Sequence, residues 1–174
     1  MLSLALPRGL LGRYWLRRCV DVGEGVQVTG RVLVHGGGSI RLGDRVCLDA
    51  RTFPIELLAA EGAELVLGDD VYVGGGTSIE ATRMVRVGAR SRIGALCKVM
   101  DSHFHPLTSH NRHERAPGTF AILEEGCDVG PRVVITAGAH LGPDTIVRAG
   151  SVVTRRFPPG VTLAGVPALV QPRH

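Results

Sequence analysis

Between Leu123 and Pro158 an aliphatic side chain returns at every sixth residue: Leu123, Val129, Ile135, Leu141, Val147 and Val153. Four residues after each of the first five stands a small or medium one, Cys127, Val133, Ala139, Thr145 and Ser151. A period of six matches neither the 3.6 of an α-helix nor the 2 of an ordinary half-buried strand. Repeats this short predict a parallel β-helix, in which short strands and turns wind round one axis and stack coil on coil. Each six-residue unit would form one flat side of a three-sided prism, its aliphatic residue and small partner pointing inward. Asp144, Arg148 and Arg132 would then face water. Gly130 and Gly142, each following an aliphatic position, are expected to mark the sharp bends, because glycine carries no Cβ.

The same count is legible upstream. Leu42 and Leu48 open it with Val46 as small partner, and Leu67, Val73 and Ile79 continue it with Val71 and Thr77. Val87, Ile93 and Val99 follow, with Ser91 and Cys97. The register is lost between Thr52 and Glu64, where Pro54 and Leu57–Leu58–Ala59–Ala60 suggest a bulged side or a small excursion. Eight residues separate Ile79 from Val87, which reads as a two-residue insertion near Ala81 and Thr82. Gly23 to Gly38 has irregular spacing, as expected of an end coil. The sum is about five or six coils in one solenoid: an N-terminal capping segment over 1–22, a β-helix over 23–158 with a loop at 101–119, and a C-terminal tail over 159–174.

Composition agrees with a narrow prism, with only 4% aromatic residues and 24 glycines. No window approaches the ~18–20 apolar residues of a membrane span. Met1 to Leu16 is apolar but broken by Pro7, Arg8 and Arg13, and reads as a cap or short helix rather than a signal peptide. Leu10, Leu11 and Trp15 beside Arg17 and Arg18 leave contact with a membrane surface open. The formal charge of +4 comes from arginine, Lys98 being the sole lysine. Mild basicity suits either plain solubility or attraction of a phosphate-bearing ligand. Scattered basic residues and scarce aromatics argue against nucleic acid. Cys19, Cys47, Cys97 and Cys127 have no CxxC spacing; Cys97 and Cys127 fall on inward positions, so packing is expected rather than zinc or disulfide, in a reducing, cytoplasmic setting.

The long polar interruption is DSHFHPLTSHNRHERAPGT, residues 101–119. It carries His103, His105, His110 and His113, and stacking would bring His140 near as a fifth of the seven histidines. Loops this long inside a repeat domain are usually functional or disordered. Histidine accepts and returns a proton near neutrality. His105 stands just before Pro106, where a stiff wall would hold its ring, and Asp101 is placed to orient it. That pair can deprotonate a hydroxyl or amine acceptor. His103 counts as an inward position, and His110 and His113 as loop surface. Ser102 and Ser109 lack a nucleophile elbow. Gly74–Gly75–Gly76–Thr77–Ser78 lacks the Walker lysine and reads as a turn. His103, His105 and His110 are candidate metal ligands, but an i, i+2 pair on an extended segment points to opposite faces, so no metal is assigned.

Taken together, the sixfold repeats, DSHFHPL, VGPRVVITAGAHLGPDTIVRAGSVVT and the closing AGVPALV resemble the hexapeptide-repeat acyltransferases, in particular their sugar and polysaccharide O-acetyltransferase branch, over roughly Leu42 to Val170. The resemblance implies a left-handed β-helix, an exception to the usual right-handed crossover, assembled as a homotrimer with sites between subunits and acetyl-CoA along the wall. It implies His105 as the base that activates the acceptor for direct attack on the thioester. It matches Ala149 and Thr154 to positions contacting the coenzyme, Arg155 to a basic position near its phosphates, and Gly138 to a place where a backbone amide stays open to the ligand. Departures bear on the acceptor. Asp128–Val129–Gly130 stands where many relatives read Trp-Ile-Gly, and Pro131 where a serine often follows. Thr82 replaces an acidic acceptor-binding position, Leu169 a late arginine with Arg173 close by, and His103 the commoner aspartate. The expectation is therefore a CoA-dependent acetyltransferase acting on a carbohydrate or similar small acceptor. The alternatives are an idle trimeric β-helix scaffold and a metal-dependent enzyme like the γ-class carbonic anhydrases.

Overall fold

The structure, a computed structural model, describes residues 14–102 and 119–172. The expectations at His103, His105, His110 and His113 lie outside the described residues, as does most of the N-terminal segment. What is described is a left-handed parallel β-helix of six complete three-sided coils and a two-sided seventh.

The first side stacks β1 (Asp21–Val22), β3 (Ser39–Leu42), β5 (Glu64–Leu67), β8 (Met84–Val87), β11 (Ala121–Leu123), β14 (His140–Leu141) and β17 (Arg156–Phe157) as seven parallel strands. The second side runs through β6 (Tyr72–Gly74), β9 (Arg92–Ile93), β12 (Asp128–Val129), β15 (Ile146–Val147) and β18 (Thr162–Gly165). The third runs through β7 (Ser78–Ala81), β10 (Lys98–Met100), β13 (Val134–Ile135) and β16 (Val152–Val153). In the first two coils β2 (Gln27–His35) and β4 (Cys47–Ala59) each bend through the corner and serve as second and third side at once.

The register follows from the sixfold pattern. Val99 lies beside Ile79 and Ile135, and Val129 beside Ile93 and Val147, so like residues stack along the axis. Every aliphatic position and small partner named above is buried. Each such aliphatic side chain removed from water contributes about 1.5–3 kcal/mol. Cys97 and Cys127 sit in this interior as free thiols, their pKa values pushed up by burial, that of Cys127 to about 11.

Three expectations change. Gly130 and Gly142 are not the bend residues: the left-handed backbone falls two positions later, at Arg132 (φ 57°) and Asp144 (φ 55°). Glycine is required there for a different reason. A Cβ on Gly130 would lie 2.8 Å from the backbone nitrogen of Ala149, and one on Gly142 2.6 Å from that of Pro159. Of the two readings of the stretch after Thr52, the bulged side holds and the excursion does not, since it is wall. Ile55, Leu57 and Ala59 alternate inward at 0% exposure, and only residues 51–54 bulge, leaving Phe53 exposed. The extra residues between Ile79 and Val87 lengthen the strands rather than the turn, since β7 and β8 hold four residues each and only Thr82 and Arg83 join them.

At the ends, Leu16 is buried on the core and Trp15 packs beside it. β1 already belongs to the first coil by pairing with β3. β18 continues the stack past residue 158, then turns back through a cis Val166–Pro167 bond to pair antiparallel with β19 (Ala168–Val170).

Candidate active site

The polar loop leaves the column after β10 and returns before β11, at the corner between the third side and the first. Asp101 forms its neck. Its carboxylate, fully buried, accepts from the Thr82 amide at 2.8 Å and the Thr82 hydroxyl at 2.7 Å on one oxygen. The other oxygen accepts from the Arg83 amide at 2.7 Å and the Met84 amide at 2.6 Å. Four donors fill the four lone-pair directions of the carboxylate. The Asp101 carbonyl meanwhile accepts from the Thr119 amide at 2.9 Å, so both ends of the loop meet at one residue.

This arrangement explains Thr82, which the sequence offered only as the loss of an acidic acceptor contact. Its hydroxyl and amide bind the neck instead. The Thr82–Met84 stretch turns three amides and one hydroxyl of one coil toward a side chain of the next.

The third side leading to the neck carries a polar ladder on its outer surface. Lys98 pairs with Glu80 at 2.6 Å, and the Ser78 hydroxyl donates to Glu80 at 2.7 Å, with Glu56 3.2 Å from the same oxygen. Glu80 is only 7% exposed although charged. Sequence pattern did not single out this cluster, because its members look like ordinary outward positions of their repeats. The one available signal was that Lys98 is the chain's sole lysine.

The residues matched to the coenzyme fall on two corners. Gly138, Thr154 and Arg155 lie at the same corner as the neck, on the coils below it, whereas Ala149 lies at the corner between second and third sides. Ala149 and Thr154 thus bracket β16, and both are exposed. The amide of Gly138 is not open, for it donates to the Phe120 carbonyl at 2.8 Å. What Gly138 provides is bare surface: with φ 80°, nothing lies within 4 Å of a Cβ built on it, and the same holds for Gly150 at φ 73°. Arg155 is exposed, its guanidinium 5.2 Å over the Phe157 ring, with no carboxylate paired to it among the described residues. Open glycine corners beside an exposed cation fit an extended, phosphate-bearing ligand. His140 lies on the first side, its Nε2 2.8 Å from Glu124.

Among the described residues no group of three histidine, cysteine or carboxylate side chains converges as a metal site. No family model and no curated protein matches the chain. Solved structures do. A hexapeptide-repeat-containing acetyltransferase from Vibrio cholerae, complexed with acetyl coenzyme A, superposes with a TM-score of 0.65 at 17% identity, over 96% of this chain and 78% of its own. The N-acyltransferase AntD from Bacillus cereus, as a mutant in complex with dTDP and coenzyme A, gives 0.69 at 14%, over 95% and 88%. A galactoside acetyltransferase in complex with coenzyme A gives 0.59 at 21%, over 97% and 73%. The chain has the fold of the hexapeptide-repeat acetyltransferases.

Proposed function

We propose that the protein is a CoA-dependent acyltransferase that moves an acetyl group from acetyl-CoA to a hydroxyl of a carbohydrate or similar small acceptor. The observation that carries this reading is the neck: a nearly uninterrupted β-helix opens at one point, and the segment held there by Asp101 bears His105. His105 takes the proton from the acceptor hydroxyl as the acceptor oxygen bonds to the acyl carbon. It returns that proton to the sulfur as the carbon–sulfur bond breaks. The donor supplies an acyl carbon already activated as a thioester, and no acyl-enzyme forms. Asp101, with both oxygens engaged, works as a positioning residue that fixes where the loop leaves the wall. Gly138, Ala149, Thr154 and Arg155 are the residues we assign to the coenzyme, with Arg155 toward its phosphates. An N-acyltransferase stands among the structural neighbours, so amino sugars belong in the acceptor panel.

The active assembly in this proposal is a homotrimer with sites between subunits, working in the cytoplasm. Four free cysteines support a reducing compartment. The test is thiol release from acetyl-CoA across a panel of sugars and amino sugars. His105→Ala should lower kcat by about 10²–10⁴-fold while trimer mass and melting stay unchanged. Undiminished turnover in that variant overturns the assignment.

A further inference from the structure

The charge of the chain is distributed very unevenly. Residues 1–20 hold Arg8, Arg13, Arg17 and Arg18 and no carboxylate, so the whole formal excess of +4 lies there; the remainder carries 16 basic and 16 acidic residues and balances to zero. The same twenty residues are apolar as well as basic, with Leu2, Leu4, Leu6, Leu10, Leu11, Tyr14, Trp15 and Leu16.

Residues 14–20, the described part of this segment, lie at the open end of the column, over the first coil. Leu16 is spent on the core at 6% exposure. The rest is not. Tyr14 is 54% exposed, and Val20 and Val22 are 63% and 40% exposed on and beside the terminal strand. Tyr14 and Trp15 pack edge to face with centroids 5.3 Å apart; the Arg17 guanidinium sits 4.1 Å from the Tyr14 ring and that of Arg31 5.8 Å from the Trp15 ring. Arg17, Arg18 and Arg31 are exposed, and a cleft between the cap and β2 is lined by Trp15, Arg18, Val34 and His35. Asp21 and Glu24 are the acidic residues on the adjoining stretch, beside the exposed Arg17, Arg18 and Arg31.

We infer that this end of the column docks on an anionic lipid surface. Aromatic rings with one polar edge and arginines with long apolar stems are the side chains that settle at a headgroup boundary. Apolar contact alone or charge alone gives weak, reversible attachment, whereas the two together reinforce each other. A nucleic acid would use the charge but leave Tyr14, Val20 and Val22 uncovered, which disfavours it as the occupant. Among the described residues no helix is long and apolar enough to cross a membrane. The inference does not depend on the acyltransferase reading.

The experiment uses the full chain, whose single tryptophan is Trp15. Vesicles of phosphatidylcholine alone, or of phosphatidylcholine mixed with phosphatidylserine, are added, and co-sedimentation is read with tryptophan emission. Binding and a blue shift are expected with the anionic vesicles and not with the neutral ones, and binding should weaken as salt is raised. Arg17→Ala and Arg18→Ala should each reduce partitioning about fivefold. Arg148→Ala, in the sixth coil, should leave it unchanged. Circular dichroism melts identify any variant that fails to fold, in which case the salt series on the unmodified chain decides. Equal sedimentation with neutral vesicles, no binding to either, indifference to salt, or tight binding to an RNA homopolymer without vesicle binding would each overturn the inference.

Discussion

The three corners of this column are built under different rules. Between the first and second sides, all seven coils use a four-residue connection: residues 23–26, 43–46, 68–71, 88–91, 124–127, 142–145 and 158–161. Between the third and first sides the connection runs from two residues, at 82–83 and 154–155, to twenty at 101–120. The invariant corner is locked by contact along the axis. A Cβ on Gly43, Gly68, Gly88 or Gly142 would fall 2.3–2.8 Å from atoms of the coil below. Side chains tie the same seam, with Asp44 accepting from the Glu24 amide and Asp69 from the Asp44 amide. The variable corner lacks such a lock at Gly138, where added atoms meet nothing. The first corner keeps one length in every coil, whereas the corner that carries the 101–120 insertion is tight at Gly36 and Gly38, against the Ala59 and Ala60 carbonyls, and open at Gly138.

The largest effect should come from breaking the locked corner. Gly88→Ala places a methyl 2.5 Å from the Glu124 carbonyl carbon and the Glu125 nitrogen, which are backbone and cannot swing away. Overpacking of this kind should cost about 3 kcal/mol and lower the melting temperature by roughly 10 °C. Gly138→Ala, at the variable corner, meets only the left-handed backbone penalty of about 1–2 kcal/mol. Equal losses in thermal melts of the two variants would erase the distinction between corners. The next effect is Asp101→Ala, which strands four donors of the Thr82–Met84 connection and should cost on the order of 3 kcal/mol. It should also lower activity, because the neck of the loop loosens. Unaltered melting would mean that water replaces the carboxylate without loss.

How far these rules could be read from the sequence depends on what repeats. The inward residues recur every six positions because each side of the prism is the same, so Leu67, Val99 and Val153 were found without a structure. The glycines of the locked corner were also visible, but their cause was not. Left-handed backbone and close approach both select glycine, and only coordinates separate them. The wall after Thr52 was hidden because β4 absorbs its corner into one continuous thirteen-residue strand, which shifts the count. Asp101 was legible as a polar residue beside a histidine. Its grip on Thr82, Arg83 and Met84 was not, since it joins residues 17–19 apart through backbone amides that leave no trace in composition. The Glu80–Lys98 pair escaped for the same reason that most outward positions carry no signal.

A smaller effect tests the interior against the corners. Burial raises the Cys127 thiol to about 11, above the range it occupies in an unfolded chain. The folded state therefore binds this proton more tightly. Its contribution is constant below the unfolded pKa near 9 and is lost as pH rises from about 9 to 11, by about 3 kcal/mol at most. Denaturant melts of the parent chain should weaken over that window, and in Cys127→Ala the slope should flatten although the absolute stability is lower. Parallel slopes in the two proteins would show that the thiol ionises without penalty and that the interior is wetter than the stacking suggests.

The smallest effect lies at the corner between the second and third sides, where Leu96 holds φ 60° and is 46% exposed. Its counterparts one coil away are Gly76, at φ 74°, and Arg132, at φ 57°. A leucine gains nothing from left-handed backbone, and its Cδ2 lies where a Cβ on Gly76 would stand. Asparagine tolerates that conformation through local hydrogen bonds. Leu96→Asn should therefore raise stability by up to about 1 kcal/mol, or roughly 2–4 °C in a thermal melt. If it destabilises instead, the leucine's packing against Gly76 outweighs its backbone strain.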